Sequence, residues 1–141
     1  MSEATIEVPA DLVESFHRQI RNRVVSYAEG AASEGKSWSR RTGAPSVMRE
    51  DLDRHLRLSL AAVALSDQID SEAKGKASFT GDAWVLSDVA DAVLMETIDR
   101  ARTVAFESPV EYDDVRDLAA LVAGWSVTCE RLDRASAAMV A

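Results

Sequence analysis

Residues Gly30-Ala31-Ala32-Ser33-Glu34-Gly35-Lys36-Ser37 satisfy G-x-x-x-x-G-K-S, the spacing with which a backbone loop wraps phosphate groups. The chemistry behind that spacing is specific. Glycines free backbone amides to point at the anion, the lysine adds a charge, and a following helix presents its positive end. A strand must lead in and a helix must lead out. Here the lead-in, Gln19 to Glu29, repeats its apolar residues at helical spacing, and Trp38 to Pro45 leaves no room for an outgoing helix. The expected structure is therefore a glycine-ended helix followed by a flexible loop over residues 31–45. Such a loop could still bind phosphate, a nucleotide or nucleic acid through Lys36, Ser37, Trp38, Arg40 and Arg41. Nine basic side chains against five acids between residues 17 and 57 supply the charge.

Both histidines have a carboxylate at helical distance: Glu14 three residues before His17, and Asp51 four before His55. A carboxylate-bridged di-metal bundle needs Glu-x-x-His on two helices and a glutamate from each of the others. The second histidine follows an aspartate at the wrong spacing. Glu130 and Asp133, the acids available late in the chain, lie off the apolar stripe of their helix. Asp88-Val89-Ala90-Asp91 opens an apolar helix as the magnesium-binding acids of small all-α pyrophosphohydrolases do. Its counterpart, Glu50-Asp51-x-Asp53, does not put three ligands on one face, so the comparison stops there. No metal and no cofactor is expected. No Ser, His and acid grouping stands out, and Cys129 falls on an apolar stripe where a thiol is inert. No catalytic residue is assigned, and a non-catalytic role is favoured over an enzyme.

Composition sets the frame for these elements. The 141 residues carry 16 basic and 24 acidic side chains, a net charge of −8, which argues against a nucleic-acid footprint over the whole surface. With 47% apolar residues the chain can bury one core, and with one cysteine it cannot form an internal disulfide. No apolar run nears the roughly 18 residues of a membrane span, and Met1-Ser2-Glu3-Ala4 lacks the basic start of a signal peptide. A cytoplasmic protein without a membrane partner is the expectation.

Prolines at positions 9, 45 and 109 divide the chain, because proline suits a first helical turn and breaks an interior. Apolar residues at steps of three and four then predict helices over about 9–30, 46–70, 83–106 and 109–139. The last has the clearest start, a capping box in Ser108-Pro109-Val110-Glu111. Thr5–Val8 alternates polar and apolar residues, and Ala77–Thr80 is its one plausible partner, giving a ribbon from residues 4–8 and 77–81. The predicted fold is mainly α: a single domain, four-helix bundle-like, with a minor two-stranded ribbon.

Helices three and four carry more apolar residues than one seam requires. Val89, Ala119, Ala123 and Val127 lie beyond the core stripes, and small residues let helices approach closely. They are the expected interface for a protein partner or a second copy of the chain. A helical interaction module is thus the leading reading, and polyanion binding by Gly30–Arg41 the alternative.

Overall fold

The computed structural model describes residues 3–40, 45–70, 77–107 and 109–137, with the side chains of 34–40, 45–48 and 70 outside the description. Among the described residues the order is β1 (Glu3–Glu7), a 3-10 turn (Ala10–Leu12), α1 (Val13–Arg40), α2 (Pro45–Asp70), β2 (Ser78–Asp82), α3 (Ala83–Ala105) and α4 (Tyr112–Ala137). The fold is mainly α, and β1 and β2 form its minor, antiparallel two-stranded ribbon. No described helix is long and apolar enough to cross a membrane. The chain divides into two compact units, Glu7–Gly81 and Met1–Ile6 with Asp82–Ala141.

In the unit Glu7–Gly81, α1 packs along α2. The stripe expected of the first helix supplies its core, since Val13, Phe16, Ile20, Tyr27 and Ala31 are all buried. Phe79 of β2 joins them, its ring 5.0 Å from that of Phe16 and edge-on to His17 at 5.5 Å. Each such aromatic side chain contributes roughly 1.5–3 kcal/mol through apolar area withdrawn from water. Gln68 reaches from α2 to the strand: its amide N–H donates to the Thr80 carbonyl at 2.5 Å and its oxygen accepts from the Thr80 N–H at 3.2 Å. One carboxamide thus bonds both polar groups of a strand residue, as a neighbouring strand would. Gly81 lies close against α2: a Cβ there would stand 2.8 Å from Cδ2 of the buried Leu65, so that side chain would have to shift.

One expectation for this unit is corrected. Residues 31–40 are not a loop: α1 runs unbroken through both glycines to Arg40. Ala31 is buried four residues after Tyr27, so tertiary packing extends the stripe past the point where glycine suggested a stop. The apolar second half of α2 is covered on one side. Ala62, Leu65 and Ile69 are buried, whereas Leu56, Leu60 and Val63 are exposed.

In the other unit, α3 packs against α4. Asp82 caps α3, its carboxylate accepting the Val85 N–H at 3.1 Å. The helix begins at Ala83, as expected, and Ser87 and Asp88 lie inside it. Helix α4 starts at Tyr112, later than Pro109, with the Val115 N–H bonded to the Glu111 carbonyl at 3.1 Å. Ser108, the expected cap, lies outside the described residues. Leu118, Trp125, Cys129 and Leu132 are the buried residues of α4, four members of the predicted stripe.

Candidate functional site

Two helices that face each other through a 3-4 apolar stripe tend to cross at a shallow angle. Mid-seam, the Ala90 carbonyl of α3 accepts the Trp125 indole N–H at 2.9 Å and lies 3.4 Å from the Cys129 sulfur. Further along, the Ser87 hydroxyl donates to the Asp133 carboxylate. Positions 90 and 87 of α3 thus meet positions 125–129 and then 133 of α4, which fixes the pair as antiparallel.

Around the Ser87–Asp133 contact lies a cleft of about 370 Å³ lined by Trp84, Ser87, Asp88, Asp91, Asp133, Ser136 and Ala137. Its electrostatics follow from three carboxylates, Asp88 and Asp91 half-buried and Asp133 exposed. Burial raises the pKa of Asp91, and the negative charge of Asp133 raises it further. Burial also pushes the Cys129 thiol up to about 12, with Asp91 and Asp133 adding to the shift. At neutral pH that sulfur keeps its proton and is a poor nucleophile. No histidine lines the cleft. Among the described residues no three His, Cys, Asp or Glu side chains are grouped to hold a metal ion. The cleft is acidic, with an aromatic side chain at its edge.

The opposite side of α4 is different in kind. At about 100° per residue, Tyr112, Ala119, Ala123 and Val127 fall on one face, across the helix from Leu118, Trp125, Cys129 and Leu132. Tyr112 is 81% and Val127 66% exposed, and both alanines are exposed with them. Ions frame this face at both ends. Arg116 bonds Asp113 at 3.4 Å and Asp117 at 3.7 Å, and Arg134 bonds Glu130 at 3.4 Å. The centre of a helix face turned to water is thus occupied by alanines and a valine where charges would be ordinary.

The expected interface is therefore brought together in part. Ala119, Ala123 and Val127 share the exposed face of α4. Val89 does not join them, because it is 0% exposed and belongs to the core of α3 with Val85, Leu86, Ala90 and Val93. Its position beyond the simplest stripe suggested an outer face, but α3 is buried over a wider arc than one stripe. Tyr112 was missed. Its place seven residues before Ala119, on the same face, was the available signal.

The expected polyanion site is altered at its foundation. Lys36, Ser37, Trp38 and Arg40 stand on the helical backbone of α1, their side chains outside the described residues, and Arg41 lies outside them altogether. Within a continuous helix the amides of Gly30–Ser37 bond carbonyls four residues back and do not form a phosphate nest. Searches of protein-family models, curated proteins and solved structures find no match to this chain.

Proposed function

We propose that this chain is a non-catalytic helical docking module that takes a second copy, or a partner protein, on the outer face of α4. The observation that supports this reading is the exposure of Tyr112, Ala119, Ala123 and Val127 on the side of α4 away from its buried stripe. Scattered exposed apolar residues are ordinary on a protein surface, but an aligned set on one helix is the pattern of helix-to-helix recognition. Covering them would contribute about 25 cal/mol for each Å² of apolar surface removed from water. Exposed Met95 and Trp84 of α3 offer further apolar surface in the same unit. A cytoplasmic location belongs to the same proposal, since a lone buried cysteine is compatible with a reducing compartment.

Sedimentation velocity over a broad concentration series tests the reading. The expected result is a sedimentation coefficient that rises with concentration for the wild-type chain and stays at the monomer value for Val127→Glu and Ala123→Glu. Both substitutions sit on exposed positions, so circular dichroism should find their helicity unchanged. A wild-type chain that stays monomeric throughout removes self-association from the proposal.

A further inference from the structure

The charges on α4 carry the reading one step further, to the identity and register of the occupant. Ala123 lies at the centre of the exposed face. Ala119 stands four residues before it and Val127 four after; Arg116 stands seven before and Glu130 seven after; Tyr112 stands eleven before and Arg134 eleven after. Reversing the helix about Ala123 therefore lays Arg116 over Glu130 and Arg134 over the ring of Tyr112.

Resting on the docking role above, we propose that the occupant is a second copy of this chain, whose α4 lies antiparallel across the first on a two-fold axis at Ala123. In that register Arg116 of each copy meets Glu130 of the other, Arg134 meets the ring of Tyr112, and Ala119 meets Val127. The flank of the face agrees. Asp113 and Asp117 at one end come beside Arg131 and Arg134 at the reversed end of the partner helix. All the groups needed are in water and within reach: Arg116 is 74% and Glu130 67% exposed. Arg116 bonds Asp113 and Asp117, and Glu130 bonds Arg134, all near neighbours on the same exposed helix surface, so the partner's Glu130 can join Arg116 and the partner's Arg116 can join Glu130. A parallel pairing would place Arg116 against Arg116 and Glu130 against Glu130, which like-charge repulsion disfavours. Alanines at 119 and 123 keep the centre of the face small, so the two axes can come within about 8 Å, the close end of helix packing. An isologous interface closes on itself, so the assembly stops at two chains.

The experiment is a charge-exchange series read by sedimentation equilibrium. Arg116→Glu and Glu130→Arg should each weaken the dimer about tenfold, because the symmetry makes one substitution spoil two contacts. The doubly exchanged chain, R116E with E130R, should return to within about threefold of wild type. A second readout is independent of charge: a mixture of Ala119→Cys and Val127→Cys chains, treated with a short bismaleimide, should cross-link between the two variants in preference to either with itself. Cys129 is buried and will not compete. A wild-type dimer indifferent to both single exchanges, or a double exchange as weak as the sum of the singles, overturns the register while leaving self-association standing. A wild-type chain monomeric at every concentration overturns both.

Discussion

Trp125 of α4, fully buried, donates its indole N–H across the helix seam to the backbone carbonyl of Ala90 on α3 at 2.9 Å. A helical carbonyl has a second lone pair, so the indole is satisfied without breaking the α3 ladder. Truncating Trp125 to Ala should destabilise the protein by about 3–5 kcal/mol, through lost burial and the cavity left behind. Trp125→Phe keeps much of the ring and should lose roughly 1–2 kcal/mol, near the value of one hydrogen bond plus the missing atoms. Urea unfolding measures both. A Trp125→Ala loss below about 1 kcal/mol would mean that the α3–α4 seam is not held here.

The stripe that places Trp125 was readable because it depends only on local period. Val115, Leu118, Val122, Trp125, Cys129 and Leu132 follow the 3-4 alternation, and four of them are buried in α4. Asp133 was not readable in the same way. Its bond to Ser87 joins residues 46 positions apart, so its environment depends on how α3 and α4 align. The same limit explains Gly30-to-Ser37. Glycine weakens a helix locally, but Ala31, Ala32, Glu34 and Lys36 favour one, and a packed neighbour decides the outcome. Val89 failed as an interface residue for a related reason, since one sequence period cannot say how wide an arc is buried.

Asp91 gives the unit a pH dependence whose sign follows from its raised pKa. Unfolded, its carboxyl titrates near 3.8; folded, burial and then Asp133 move it higher. Between those two values the folded state binds more protons than the unfolded one, so this group's contribution to stability falls as pH rises through the window. Asp91→Asn should therefore be more stable than wild type at pH 7, with the difference shrinking as pH drops toward 3.8. Chemical denaturation at a series of pH values checks it. A difference constant with pH would mean that the effect is packing and not titration.

Cys129 should behave as a core residue toward reagents. Its thiol is buried and titrates near 12, so almost none is thiolate at pH 8. Native protein should resist an aromatic disulfide reagent for as long as the α3–α4 pair stays closed, and react fully once denatured. Adding sub-denaturing urea should accelerate the labelling of native protein in step with the population of opened chains. Rapid labelling of the folded chain without denaturant would contradict the burial.

The contact between Gly30 and His55 sets two effects of similar size against each other. The ring of His55 is held by its Nδ1–H, which donates to the Asp51 carbonyl at 2.8 Å. A Cβ at position 30 would stand 2.7 Å from Cδ2 of that ring. Alanine in place of an interior helical glycine gains about 1 kcal/mol of helix propensity, while displacing a hydrogen-bonded ring costs a similar amount. Gly30→Ala alone should therefore change stability little. In a His55→Ala background the ring is gone and only the propensity gain remains, so Gly30→Ala should then stabilise by about 1 kcal/mol. A double-mutant cycle measured by urea unfolding reads the difference as a coupling between the two positions. Equal effects of Gly30→Ala in both backgrounds would show that the ring does not constrain the glycine, and that its place in α1 has another cause.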